Sequence, residues 1–187
     1  MEKQNQEIIS WIKEVSLSDS QVAFKSIYLT YYPQLIRFTC LYISSIAEAE
    51  EIVSDTFLTI WNNRKILLQI SSFNAYVYSI ARNKAISHYR KQHMEKVELD
   101  EKTIDFFFQT ETTPEDELIK KEDISKLNEA INALPFKCKM TFKLIREDGL
   151  KYKEVAEILD ISIKTVEAHL STAIKKLRKT LTDIYLI

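Results

Sequence analysis

The chain has 187 residues, 45% of them hydrophobic and 28% charged, with 26 Lys and Arg against 27 Asp and Glu. That length suits one large or two small domains, and the apolar share suffices for compact cores. One Gly and three Pro argue against a sheet-rich fold with many tight turns, and the abundant strong helix formers give an all-α reading. No apolar run is long enough to span a bilayer. The N-terminus, MEKQNQEIISWIKEV, is polar and amphipathic, unlike a signal peptide. Cys40 and Cys138 are isolated thiols without CxxC spacing, which fits a reducing cytosol and core positions. The near-zero net charge conceals a segregation. Residues 1–93 hold ten cations and eight acids, residues 94–123 four and eleven, residues 124–187 twelve and eight. Two mildly basic halves thus flank an acidic segment, which bears on partners rather than on fold.

A short amphipathic helix before Ser18 opens the chain. A second runs from Ser20 to Tyr42, with Phe24, Ile27, Tyr28, Tyr31, Leu35, Phe38 and Tyr42 as its candidate core face. A third, residues 47–62, turns Val53, Phe57, Ile60 and Trp61 inward and Glu50, Glu51, Ser54 and Asp55 outward. A fourth starts at 71–74 and reaches about His93. Val77, Ile80, Ala81 and Ala85 can face its core. Ser79, Asn83, Ser87 and Arg90 line one polar stripe, and Lys84, His88 and Lys91 the next, with Tyr76, Tyr78 and Tyr89 expected exposed among them. Basic and amide groups mixed with aromatics suit single-stranded nucleic acid, because charge holds the backbone and rings stack on bases. An ordinary solvated face with half-buried tyrosines has the same pattern.

Residues 94–123 contain Thr110, Thr112, Thr113 and Pro114 and lack helical periodicity until about Pro114, so they read as a linker between two helical domains. Phe106, Phe107 and Phe108 dock either on one of the domains or on a partner. Residues 152–177, YKEVAEILDISIKTVEAHLSTAIKKL, read as two helices joined by a tight turn. Val155, Ala156, Ile158 and Leu159 form the inner side of the first. Asp160 and Ile161 make the turn, where Asp tolerates the left-handed conformation better than most residues. Ser162 is a good N-cap for the second helix. Ile163, Val166, Leu170, Ile174, Leu177 and Leu181 make one apolar stripe, and small residues at Ala156 and Ala173 favour close approach of the pair. The opposite face shows Lys164, Thr165, Glu167, Ala168, His169, Ser171, Thr172 and Lys175, the pattern of a helix-turn-helix whose second helix enters a major groove. A plain helical hairpin with solvated charges is the alternative for this segment alone.

Taken together these segments resemble the small extracytoplasmic-function sigma factors of bacterial RNA polymerase. The motifs are AEEIVSDTFLTIWNNR at 49–64, FNAYVYSIARNKAISHYRKQ at 73–92, INALPFKCKMTFKLIREDGL at 131–150, and the helix-turn-helix. Their order and spacing across an acidic linker carry the resemblance, and the Lys- and Ile-rich wording is similar to the branch abundant in Bacteroidetes. The resemblance implies sigma domain two at 1–93, a linker at 94–123 and sigma domain four at 124–187. It implies that the 49–64 helix docks on the coiled coil of the polymerase β′ subunit through Glu51, Asp55, Leu58 and Trp61. It gives melting and reading of the minus-ten element to Tyr76, Asn83, Lys84, Ser87, His88, Arg90 and Lys91. Residues 67–73 match the loop that captures a flipped base. The helix-turn-helix residues named above match the minus-thirty-five reader, and residues 131–146 the surface that grips the β flap. Family members often show Arg where this chain has Glu167 or His169, so the resemblance does not fix which bases are read. The acidic linker would pass near the polymerase cleft and could mimic nucleic acid there.

The partners implied are core RNA polymerase, promoter DNA and, as in many relatives, a membrane-bound anti-sigma factor, all at a cytoplasmic location. A conventional helix-turn-helix regulator with an N-terminal sensing domain is the competing class, and the 49–92 motifs argue against it. An enzyme is disfavoured: there is no HExxH, no paired Cys ligands, no phosphate-binding Gly loop and no nucleophile elbow. His88, His93 and His169 are unsuitably spaced for a metal, so no cofactor, metal or small-molecule substrate is expected.

Overall fold

A computed structural model of the chain describes residues 2–93 and 121–185. The described residues are helical without a strand, as the composition predicts, and they fall into two compact units. Most of the acidic segment, including Phe106, Phe107 and Phe108 with their two docking alternatives, lies outside the described residues.

The first unit contains α1 (Glu2–Ser18), α2 (Gln21–Thr39), α3 (Ile46–Asn62), a 3-10 segment (Arg64–Gln69) and α4 (Phe73–His93). Serines set three of the helix starts. Ser20 Oγ accepts from the Ala23 N–H at 3.2 Å, Ser45 Oγ from Glu48 at 3.4 Å, and Ser72 Oγ from Ala75 at 3.2 Å. Each satisfies one of the orphan donors that a helix start leaves. α2 is the spine of this unit. Its Ile27, Tyr31, Leu35 and Phe38 are buried, as expected, whereas Phe24 and Tyr28 are half-buried over Phe57 of α3. α4 turns Val77, Ala81 and Ala85 inward, with Ile80 half-buried.

Two sequence expectations fail in this unit. Tyr78, expected on an exposed face, is fully buried: its ring meets Phe38 at 5.0 Å and its hydroxyl donates to Gln34 Oε1 at 3.2 Å. Tyr76 and Tyr89 are half-buried. Small Ala75, Ala81 and Ala85 leave room for one large ring on the inner face, and burying a ring outweighs placing its single hydroxyl when a partner is in reach. Cys40, expected in a core, is exposed at the C-terminal end of α2, while Cys138 is buried.

The second unit contains α5 (Lys121–Asn132), α6 (Phe136–Arg146), α7 (Tyr152–Leu159) and α8 (Ile163–Tyr185). Pro135 precedes the first turn of α6, where its missing N–H removes no helical bond. Gly149, at φ +69°, reverses the chain after α6 so that Leu150 N–H reaches Leu144 O at 3.0 Å. Ala130, Ile131, Leu134, Cys138, Ala173 and Leu177 form one buried cluster. Ala173 of α8 thus packs in one cluster with residues of α5 and α6. Val155, Ala156 and Ile158 of α7 are buried with Val166 and Leu170 of α8, and Leu159 is half-buried.

Candidate nucleic-acid interface

In the second unit the turn between α7 and α8 is built as the sequence predicts. Asp160 adopts φ 55° and ψ 49°, and Ser162 Oγ accepts from Thr165 N–H at 3.0 Å. Glu154 reaches back to Lys151 N–H at 2.8 Å and so fixes the start of α7. The apolar stripe of α8 begins at Val166, because Ile163 is 46% exposed. Lys164, Glu167, Ala168, Ser171, Thr172 and Lys175 lie along one side of α8, and all six are exposed. Thr165 is half-buried and its Oγ1 lies 2.8 Å from Ser162 Oγ, so it shares in the cap. Thr172 Oγ1 donates to Ala168 O at 2.8 Å, which leaves the hydroxyl oxygen available outward. His169 departs from the expected face: it is half-buried, with Nδ1 3.8 Å from Cys138 Sγ on α6.

An open groove of about 410 Å³ runs beside this helix. Leu170 and Ile174 floor it, Arg146, Lys175 and Arg178 place cations around it, and Tyr152 and Ser171 add hydroxyls. Periodicity along α8 could not reveal Arg146 or Tyr152, since they come from the ends of other elements. On α6, burial and then neighbouring Lys143 hold the Lys139 ammonium below the ordinary lysine range.

The first unit places α3 and α4 side by side. Glu51 and Asp55 of α3 are exposed and Leu58 is 57% exposed, which makes an acidic face with an apolar centre. Trp61 is not a free anchor. Its ring lies 5.0 Å from Phe24, and the Arg64 guanidinium stands 4.6 Å over it.

The expected minus-ten surface of α4 divides in two. Asn83, Ser87, Arg90 and Lys91 are all exposed. Lys84 and His88 instead turn toward α3: Lys84 Nζ lies 3.7 Å from Asp55 Oδ2, and His88 Nε2 lies 3.3 Å from Glu48 Oε2. Tyr76 is half-buried, and its hydroxyl accepts from Asn63 Nδ2 at 3.2 Å. Four-residue steps put Lys84 and His88 on one stripe, but only packing shows that this stripe borders α3.

The segment before α4, expected as a loop over 67–73, begins within the 3-10 helix. Leu67 is 2% exposed and pins it, while Leu68 is 50% exposed. A residue that the sequence did not single out holds this segment. Asp19, between α1 and α2, pairs with both Arg64 and Lys65. Ser18, Asp19 and Ser20 signal a turn, but nothing in the sequence signals a partner 45 residues away.

Among the described residues no helix is long and apolar enough to cross a membrane, and no three His, Cys, Asp or Glu side chains are grouped to hold a metal ion.

Residues 27–94 match the family model for Sigma-70 region 2, and residues 124–177 that for Sigma-70, region 4. The two together span well over half of the chain, which belongs to the sigma-70 family and is a sigma factor. It is 25% identical over 156 residues to the ferric citrate uptake sigma factor FecI of Escherichia coli (strain K12), covering 83% of this chain and 89% of the relative. It is 26% identical over 180 residues to the ECF RNA polymerase sigma factor SigW of Bacillus subtilis (strain 168), covering 92% and 96%. Two solved structures share the fold. One is the sigma factor RpoE in complex with the anti-sigma factor NepR from Bartonella quintana, with a TM-score of 0.62 and 24% identity over 85% of this chain and 96% of that one. The other is CnrH in complex with the cytosolic domain of CnrY, with a TM-score of 0.60 and 18% identity over 95% and 97%.

Proposed function

We propose that this sigma factor divides promoter recognition between three surfaces: α3 docks on the β′ coiled coil, α4 with its preceding loop melts the minus-ten element, and α8 reads the minus-thirty-five element. One observation carries this reading. A single chain pairs an acidic, apolar-centred α3 face with a polar stripe on α4, and adds a capped helix-turn-helix with an exposed α8 face. A sensor domain would not need the α3–α4 pairing. Docking falls to Glu51, Asp55 and Leu58, which suit a basic surface with an apolar notch. Strand opening falls to Asn83, Ser87, Arg90 and Lys91, and minus-thirty-five reading to Lys164, Glu167, Ala168, Ser171, Thr172 and Lys175. Thr165 and His169 support that reading from the cap and from the Cys138 contact. Lys84 and His88 act between α3 and α4.

The assigned boundaries are 1–93, 94–123 and 124–187, with residues 131–146 against the β flap. We place the protein in the cytoplasm, without chemistry of its own, in keeping with relatives that are sigma factors rather than enzymes. A membrane-bound anti-sigma factor is the proposed regulator, a reading supported by two structures of the same fold, RpoE bound to the anti-sigma factor NepR and CnrH bound to the cytosolic domain of CnrY. A Bacteroidetes-like branch rests on the wording of the sequence alone, since the relatives above come from Escherichia coli and Bacillus subtilis.

The test is reconstitution with core polymerase. The chain should co-purify with core enzyme, and the holoenzyme should start transcripts at discrete sites on genomic DNA. Free protein should bind duplex promoter DNA poorly, because its net charge is −1 and non-specific affinity comes mainly from phosphate neutralisation. Tight sequence-specific binding by the isolated chain, with no affinity for polymerase, would favour a conventional regulator.

A further inference from the structure

We propose that Asp19, in the turn between α1 and α2, is a positioning residue for base selection, holding the segment that launches the base-capture loop. This rests on the reading of residues 67–73 as that loop. Asp19 Oδ1 lies 2.8 Å from Lys65 Nζ, and the same oxygen pairs with Arg64 Nε. The attachment continues on both sides. Lys65 Nζ donates to Ser16 O at 3.3 Å, and Ser16 Oγ donates to Lys65 O at 3.3 Å. Arg64 Nη1 donates to Trp61 O at 2.9 Å. Beneath these bonds Ile12 and Val15 of α1 are buried, as is Leu67, the first residue of the loop. Two consecutive residues of the 3-10 segment are therefore tied by charge to the turn that ends α1, and the loop leaves from a fixed point.

The backbone at this turn does not itself demand Asp. Asp19 has φ 55°, a conformation that Gly and Asn also adopt readily. The carboxylate distinguishes Asp from both, and it is engaged by Arg64 and Lys65. Asp19 also precedes residue 27, where the match to Sigma-70 region 2 begins. A pocket that selects a flipped base returns the unstacking energy only when its walls are held within a fraction of an ångström. A loosened launch point should therefore erode discrimination between bases more than it erodes binding.

The experiment uses reconstituted holoenzyme carrying Asp19→Asn, Asp19→Gly or Lys65→Ala. Opening rates are read with a fluorescent base on two duplex promoters that differ only at the captured minus-ten base, and on a pre-melted template. Each variant should lower the ratio of the two opening rates, by roughly tenfold if the loop shifts on the scale of an ångström. Initiation from the pre-melted template should stay near wild type. Leu68→Ala, within the loop, tests the underlying reading. If Leu68→Ala leaves the ratio unchanged, the loop assignment fails and the proposal with it. If Leu68→Ala lowers the ratio while Asp19→Gly and Asp19→Asn keep it, the loop assignment stands and the proposal is overturned. A merely structural role would lower polymerase affinity and pre-melted initiation together at an unchanged ratio, and that result also overturns it. Lys65→Ala removes the same pair from the other side, so the ratio remains decisive where an Asp19 variant folds poorly.

Discussion

Asp160 and Asp19 sit at the same left-handed φ of 55°, yet their side chains do different work. At Asp160 the backbone is the requirement, so Asp160→Gly should leave thermal stability unchanged or raise it. Asp160→Val, a β-branched residue forced to positive φ, should lower stability by about 1–2 kcal/mol, read from denaturant midpoints of the full chain. At Asp19 the carboxylate is the requirement. The hydrogen bond from Lys65, then that from Arg64, holds its carboxyl below the ordinary carboxylate range. Because the folded value lies below the unfolded one, the latch contributes at neutral pH. That contribution is lost as pH falls through and below the ordinary range. Melting temperature of Asp19→Asn should therefore converge on wild type as the solution is acidified. A gap that persisted or widened in acid would show that the charge is not what Asp19 supplies. Asp19 is exposed, so the gap at neutral pH should be small.

Between elements, the informative contact is the border of α3 and α4. Asp55 and Glu48 are not simply presented to a partner, since Lys84 and His88 already face them. Glu51→Lys with Asp55→Lys should abolish binding to core polymerase while leaving helix content unchanged, as measured by pull-down and circular dichroism. It also sets Lys opposite Lys84. Adding Lys84→Asp should restore the cross-helix pair, worth about 0.5 kcal/mol on an exposed surface, without restoring polymerase binding. Recovery of binding in the triple variant would mean that stability, not the acidic face, is what polymerase requires. Deeper in the same unit, Tyr78→Phe should cost about 1 kcal/mol for the lost bond to Gln34. Tyr78→Ala should cost about 3–5 kcal/mol for the cavity between α2 and α4.

At the scale of the whole chain, the two proposed DNA surfaces belong to two separate units and should fail separately. Substitutions at Lys164, Glu167 or Lys175 should weaken recognition of the upstream element, at about 1–3 kcal/mol for each lost base contact. Those at Asn83, Ser87 or Arg90 should impair strand opening. A promoter with an artificial bubble at the minus-ten position should rescue the second set and not the first. Equal rescue of both sets would show that the melting surface is misassigned. His169→Ala should behave as a mixed variant, because the ring also packs on Cys138 and its loss disturbs the seating of α8.

Local rules made much of this protein legible from its sequence. Low Gly and Pro content argued against a sheet-rich fold, Ser162 marked the start of α8, and Asp160 with Ile161 gave the turn of the helix-turn-helix. These depend on neighbours a few residues apart, so composition and spacing suffice. Periodicity also separated the buried face of α2 from its surface, because burial repeats every three or four residues. Tertiary structure alone decided where a polar stripe borders another helix. It turned Lys84 and His88 to the acids of α3, buried Tyr78 beneath its hydroxyl bond, set His169 against Cys138, and brought Asp19 to Arg64 and Lys65. In each case the partner lies in a different helix or segment. The separation is 31 residues for His169 and Cys138, 44 for Tyr78 and Gln34, and 45 for Asp19 and Arg64. One-dimensional spacing fixes the angle of a side chain on its own helix, whereas its partner is set by how whole helices pack.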